Sequence, residues 1–252
     1  MRHPADPPIL WRALRHPKDG HTEDECEDAW AADPGAGRFA VADGASESAF
    51  AGLWARLLAE GFLAAPRPRD LSGWLTEARN RWSAEVMGLE LPWYAEMKRE
   101  EGAFATFLGL NVRPKGPARS CRWQALAVGD SCLVRVREDR SVRAFPVRGS
   151  LDFGNQPPLL GSRPGAAWPP RRCYGSLRPG DRLLLMTDAL AQWFLGSHEN
   201  GGRPWEAVAS LLAAEQPQAA FADWLGELRN RGGLHNDDVT LLSIEPGRAP
   251  EE

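Results

Sequence analysis

Five acidic signatures follow one another along the chain: Glu27-Asp28, Asp43-Gly44, Gly129-Asp130, Asp188 and Asp237-Asp238. Three of them stand where a short apolar run ends. Asp43 follows FAVA, Asp130 follows ALAVG, and Asp188 follows LLLMT. Buried strands that end in carboxylates can bring several anions to one sheet edge. Such a cluster repels itself unless cations hold it, so the set reads first as a metal site. Each signature alone has a plainer reading. Asp43-Gly44 is also a common turn, Asp188 could cap the segment ALAQWFL, Asp237-Asp238 could be loop acids, and Glu27-Asp28 a solvated acidic stretch. Their joint order raises the metal reading above these.

The elements that must position the acids are legible from periodicity. Ile9–Arg15, Cys26–Ala32 and Arg38–Ala42 read as strands, with Gly44 allowing a tight turn after Asp43. Apolar positions at helical spacing predict a helix from Glu47 to about Ala64, with Ser46-Glu47-Ser48 at its cap. A second is predicted over Leu71–Met87 with Ser72 near its start. Ala103–Val112, Arg122–Val128, Cys132–Arg137 and Val142–Val147 read as an antiparallel meander. A long Gly/Pro-rich loop, Arg148–Pro170, precedes a strand at Arg182–Thr187. Helices over Arg203–Ala214 and Gln218–Arg231 and a last strand at Val239–Glu245 complete the chain. Strands and helices occur in blocks, which is α+β and not βαβ. The fold class expected is a four-layer helix–sheet–sheet–helix sandwich of two mainly antiparallel sheets, forming a single domain over residues 1–252.

Composition narrows the class further. A chain of 252 residues with 43% hydrophobic content can bury one large core. A formal charge of −4 gives no footprint for nucleic acid. No apolar run approaches the roughly 18 residues of a membrane span, and MRHPADPPILW lacks the apolar centre of a signal peptide. A cytoplasmic, monomeric protein is expected. Cys26, Cys121, Cys132 and Cys173 form no CxxC pair and no His cluster joins them, so reduced thiols are expected and not structural zinc. Eleven tryptophans are scattered, as core or helix-face residues would be; Trp93 and Tyr94 read as anchors of a surface helix.

In these motifs the chain resembles the metal-dependent protein phosphatases of the PPM (type 2C) group in their bacterial form. The resemblance runs from about Leu10 to Ile244. It rests on Glu27-Asp28-Ala29, FAVADGA at Phe39–Ala45, a loose GAFAT at Gly102–Thr106, AVGDS at Ala127–Ser131, Thr187-Asp188-Ala189, and Asp237-Asp238-Val239-Thr240. It implies that Asp43 bridges two Mn²⁺ or Mg²⁺ ions. Asp188 and Asp237 would complete one ion, and the Gly44 carbonyl and Glu27 would serve the other. Asp28 would ligate or hydrogen-bond a metal-bound water beside Asp43, and Asp130 would support a third, looser ion. All-oxygen donors suit Mg²⁺ or Mn²⁺ better than zinc. Such ions activate water and clamp phosphoryl oxygens, so no Ser or Cys nucleophile is needed. The implied substrate is a phosphoserine or phosphothreonine protein, and a serine/threonine kinase or its targets are the natural partners by analogy.

Three departures from the family bear on activity. Glu23 stands where the family commonly carries a phosphate-gripping Arg, Ala45 where animal members have a His, and Ala189 where a Gly is usual. His21 is a weak candidate for either missing role; Lys18, Arg163, Arg171 and Arg172 are other possible phosphate contacts. The alternative function is a catalytically impaired pseudo-phosphatase that binds metal or a partner without turnover. A third reading takes Gly129-Asp130-Ser131 as an esterase nucleophile motif, although the Asp-x-x-His pair that would accompany it is missing: Gly232 lies three residues before His235.

Overall fold

A computed structural model describes residues 9–247 apart from 67, 69, 91, 116–119, 139, 155, 166 and 167. The first eight residues, read above as no signal peptide, therefore lie outside the described set, as does the side chain of Tyr94.

The unbroken apolar runs arise because each central strand is covered on both faces. In β3 (Arg38–Gly44), Phe39 and Val41 face the opposite sheet, while Ala40 and Ala42 pack under helices. In β10 (Arg182–Met186), Leu183 and Leu185 face the opposite sheet, and Leu184 and Met186 the helices on the other side. Successive strand residues point to opposite faces, so both faces demand apolar side chains.

One sheet has the order β1 (Ile9–His16), β11 (Val239–Pro246), β10, β6 (Cys132–Val136), β7 (Val142–Phe145). The other has β2 (Asp28–Asp33), β3, β4 (Phe104–Lys115), β5 (Ser120–Val128), β9 (Arg171–Leu177), with the short β8 (Leu160–Gly161) beside β4. All the pairings are antiparallel. Helices α1 (Ala51–Ala64) and α2 (Leu71–Met87) cover the second sheet. Helices α4 (Asp188–Glu199), α5 (Pro204–Ala213) and α6 (Pro217–Asn230) cover the first. The expected four-layer α+β architecture is borne out.

Several local expectations are corrected. The meander is not one sheet: β4 and β5 belong to one sheet, β6 and β7 to the other, and the chain crosses between them at Gly129-Asp130-Ser131. Strand β9 lies in RRCYGSL, whose charges hid it, because it is an edge strand with exposed arginines. Helix α1 starts at Ala51, four residues later than expected, and Ser46 and Ser48 do not cap it. The Ser48 hydroxyl instead donates to the Ala45 carbonyl (2.8 Å) and accepts from the Phe104 amide (3.1 Å). Helix α2 is capped by Asp70, which accepts from the Gly73 amide, and Ser72 donates to that carboxylate (2.8 Å). Trp93 opens α3 (Trp93–Glu101) but is 73% exposed, so burial does not anchor it.

Candidate metal centre

Strand pairing alone assembles the first acids. In the β2–β3 register Asp28 lies directly opposite Asp43, and in the β3–β4 register Asp43 lies opposite Thr106. The strand does not turn after Asp43: β3 continues through Gly44, which pairs with Ala105. Glycine is needed there for a different reason, since a Cβ would come within 2.8 Å of the Ala51 carbonyl carbon at the start of α1. The Gly44 amide donates to the Glu27 carbonyl (3.2 Å), closing this edge.

The GAFAT and GDS motifs meet at Thr106. Its hydroxyl and that of Ser131 lie 2.6 Å apart, both buried. Gly129 has φ +98°, and a Cβ there would lie 2.5 Å from the Thr106 Cβ, so the crossing to the other sheet needs glycine twice over. Ser131 is fully buried in this contact, which removes it as an exposed esterase nucleophile.

The first sheet supplies the remaining acids at the same end. The Thr187 hydroxyl donates to Asp28 Oδ2 (2.9 Å) and accepts from the Thr240 amide (2.9 Å), joining the two sheets. Asp188 follows as the first residue of α4, accepting from the Ala189 amide (2.5 Å), and Asp237 accepts from the Asp238 amide (2.8 Å).

Electrostatics ties the acids into one group. Burial, then repulsion from Asp28, Asp188, Asp237 and Asp130, pushes the Asp43 carboxyl well above the usual range. Asp28 is raised likewise, by burial and then by Asp238 and Asp188. Burial, then Asp130 and Asp237, raises Asp188 to about 7; burial raises Asp130 to about 6; Asp237 is raised by burial and then by Asp238 and Glu27. Asp28 Oδ1 and Asp130 Oδ1 are buried with no hydrogen-bond partner. Buried carboxylate oxygens left unpaired are costly, and a hard cation is the partner this donor set suits. Among the described residues, no group of three or more Asp, Glu, His or Cys side chains is already arranged to hold a metal ion.

Asp238, which had no separate role in the sequence, is buried (3% exposed) and clamps the site. Its Oδ1 accepts from the Lys18 amide (2.8 Å) and its Oδ2 from the Glu27 amide (2.7 Å). Arg229 of α6 braces the same loops, donating to the carbonyls of Asp237 (2.6 Å) and Pro17 (3.2 Å) and to Asp19 Oδ1 (2.6 Å). The position of Asp238 beside Asp237 was the only hint; for Arg229 there was none.

The clamp also delivers a cation. Lys18 Nζ donates to Glu27 Oε2 (3.3 Å) and the Ser46 hydroxyl (2.9 Å), and Ser46 donates to the same Glu27 oxygen (2.5 Å). Burial opposes the Lys18 charge, but Glu27, Asp238 and Asp237 outweigh it and raise its pKa. The other sequence candidates lie elsewhere. His21 is exposed and closes the turn after Lys18, its amide donating to the Lys18 carbonyl (3.1 Å). Arg163 donates to the Arg99 carbonyl, and Arg171 and Arg172 line a different cavity on β9. Glu23 pairs with Arg15 (3.3 Å). The Ala45 amide donates to the Phe104 carbonyl, and Ala189 is buried in α4. A cavity of about 750 Å³ is lined by Gln192, Trp193 and His235 among others, and by Ala189 and Asn236, the chain neighbours of Asp188 and Asp237. Cys26, Cys121, Cys132 and Cys173 form no disulfide. Among the described residues, no helix is long and apolar enough to cross a membrane.

Comparison with known proteins agrees with this geometry. A sequence profile described as Protein phosphatase 2C matches residues 17–226, a span that stops short of Asp237. No curated protein matches in sequence. Among solved structures, the Mycobacterium tuberculosis serine/threonine phosphatase PstP/Ppp is 18% identical with a TM-score of 0.61, covering 95% of this chain and 99% of that one. A PstP catalytic domain in complex with two manganese ions is 21% identical, with a TM-score of 0.60 and the same coverage of 95% and 99%. PppA of Pseudomonas aeruginosa, described as a key regulatory component of its T6SS, is 19% identical with a TM-score of 0.58, covering 94% and 97%. At these identities the likeness is one of fold.

Proposed function

The chain belongs to the protein phosphatase 2C family, and from that premise we propose that it is a Mn²⁺- or Mg²⁺-dependent hydrolase of phosphoserine and phosphothreonine in proteins. The observation that carries this reading is the gathering of Asp28, Asp43, Asp130, Asp188 and Asp237 into one mutually repelling group with unpartnered buried oxygens. Asp43 would be shared between two ions, Asp188 and Asp237 would complete one, and Glu27 and the Gly44 carbonyl would serve the other. Asp130 would support a third, looser ion. When bound, the ions supply the positive charge that makes a water nucleophilic near neutral pH and offsets the phosphoryl oxygens.

The chain's own residues do the rest. Thr187 holds Asp28 by one oxygen, leaving the other to accept a proton from an attacking water. Asp238 fixes the backbone on both sides of the entrance, so that Glu27 and Lys18 approach together. Lys18 is the cation we assign to the substrate phosphate, in place of the arginine the family commonly carries at Glu23. The cavity beside Asp188 and Asp237 would receive the polypeptide that bears the phosphate. The two sheets and their helices would act as one domain. A monomer acting in the cytoplasm, on a serine/threonine kinase or its targets, is the setting we propose.

The test is hydrolysis of p-nitrophenyl phosphate and a phosphothreonine peptide, with and without Mn²⁺, by the wild type and Asp43→Asn. Metal-dependent turnover that the variant loses is expected; equal turnover in the variant would overturn the assignment. Glu23, standing where the family commonly carries a phosphate-gripping Arg, motivates a second reading, a pseudo-phosphatase. It requires that Mn²⁺ raise the Tm of the wild type while no phosphopeptide is turned over.

A further inference from the structure

The two sheets have an open edge formed by β7 and β9, and a cavity of about 980 Å³ lies there. It is lined by arginines from both sheets. Arg135 comes from β6, Arg143 from β7, Arg171 and Arg172 from β9, and Arg148 from the chain after β7. Arg135 and Arg143 are direct cross-strand partners, a placement in which like charges repel.

Carboxylates offset these charges only in part: Asp181 acts on Arg135 from a distance, and Glu199 lines the cavity. Among the described residues, Arg135, Arg143, Arg148 and Arg171 form no ion pair. The nearby Asp181 is paired with Arg137 (3.8 Å). The one acid lining the cavity, Glu199, accepts from both the amide (2.9 Å) and the hydroxyl (2.5 Å) of Ser150. Arg135 Nε and His198 Nδ1 are buried without a hydrogen-bond partner, and both residues line the cavity. Arg171 lies 6.0 Å over the Phe145 ring, which supports its guanidinium from the side. Arg143, Arg148 and Arg171 are exposed and Arg135 half-buried, so in a chain of formal charge −4 they form a local positive patch. Its guanidinium groups are open to an anionic ligand, and Arg135 Nε is a buried donor still without a partner.

We propose that this edge cavity binds a small polyphosphate, either the phosphate chain of a nucleoside triphosphate or inorganic tripolyphosphate. Guanidinium forks match phosphate oxygens bidentately. A single phosphomonoester carries about −1.5 to −2 at neutral pH, too little for a set of arginines spread over two sheets. Two or three linked phosphates match both the charge and the spread. The volume is at the upper end of ordinary small-ligand sites. This site shares no lining residue with the carboxylate cluster, and its occupancy does not depend on the catalytic reading.

The experiment is calorimetric titration of the whole chain in EDTA, where the acidic cluster repels phosphate. The probes are tripolyphosphate, ATP and a phosphothreonine peptide. Saturable 1:1 binding of tripolyphosphate or ATP is expected, at least tenfold weaker in the double variant Arg143→Gln/Arg171→Gln and unchanged in Asp43→Asn. Both arginines are exposed, so the variant should fold, and its Tm is measured alongside. ATP binding more tightly than tripolyphosphate would assign the base a share; equal affinity would assign the phosphate chain alone. Absence of saturable binding, undiminished affinity in the double variant, or loss in Asp43→Asn would each overturn the proposal. Binding of the peptide alone would also overturn it, in favour of a substrate-docking surface.

Discussion

Neutralising one carboxylate of the cluster should stabilise the metal-free protein, the reverse of what a substitution at a buried site usually does. Consider Asp188→Asn. The Asp188 carboxyl is raised from 3.8 to about 7, by burial first and then by Asp130 and Asp237. A shift of about three units, at about 1.4 kcal/mol each, sets a ceiling of about 4 kcal/mol for the cost of its charge above pH 7. Two effects reduce this. The shift is shared among coupled groups, and Asp188 opens α4, where a negative charge is favourable by about 0.3–1 kcal/mol. Asn keeps an oxygen for the Ala189 amide, so the hydrogen bond survives. A net gain of about 1–3 kcal/mol remains, or a rise in Tm of about 3–10 °C for a chain of this size. The sign with pH follows from linkage. A carboxyl whose folded pKa exceeds its unfolded one binds the extra proton in the folded state between about pH 4 and 7. Metal-free wild type therefore loses stability as pH rises through that window. Thermal melts in EDTA should show the variant above wild type at pH 7.5, with the gap roughly halved at pH 5.5 and closing only as pH approaches about 4. In excess Mn²⁺ the order should reverse, because binding to the folded state stabilises the chain that keeps its ligand. A variant less stable than wild type in EDTA at pH 7.5, or a gap indifferent to pH, would refute the repulsion argument.

Asp238→Ala removes both acceptors of the clamp and should cost about 2–4 kcal/mol in urea unfolding, with Asp238→Asn losing roughly half because it keeps one acceptor. In Gly44→Ala the new Cβ meets the Ala51 backbone at 2.8–2.9 Å; a destabilisation of about 1–3 kcal/mol is expected, together with a smaller Mn²⁺-induced rise in Tm. Lys18→Met should lower kcat/KM on a phosphothreonine peptide by roughly 10- to 100-fold, with Lys18→Arg recovering most of it. The Tm of Lys18→Met in EDTA serves as the control for folding.

The strands that end in acids were legible because a sheet covered on both faces writes itself as a continuous apolar run, and FAVA and LLLM are such runs. Strand β9 was not legible, because an edge strand can carry Arg171, Arg172 and Tyr174 on its exposed positions. The cap expected from Ser46-Glu47-Ser48 failed because those hydroxyls had stronger partners in the Glu27 side chain, the Ala45 carbonyl and the Phe104 amide, none of which belongs to the helix. Gly44 was rightly singled out but for a turn it does not make; the approach of α1 requires it.

The sequence by itself determined the composition of the acidic set, its order and its all-oxygen chemistry, since residue type and short-range periodicity are local properties. Only the tertiary structure decided which acids face one another and which are spent on the backbone. Asp237 and Asp238 are adjacent in the chain. Asp238 reaches amides 220 and 211 residues away, at Lys18 and Glu27, whereas Asp237 is turned toward the cluster. The same long-range pairing placed Lys18 against Glu27 and left Glu23 with Arg15. It also set Arg135 and Arg171, from different sheets, around one cavity. Such neighbours are chosen by sheet order and by the crossing at Gly129, and no spacing along the chain encodes them.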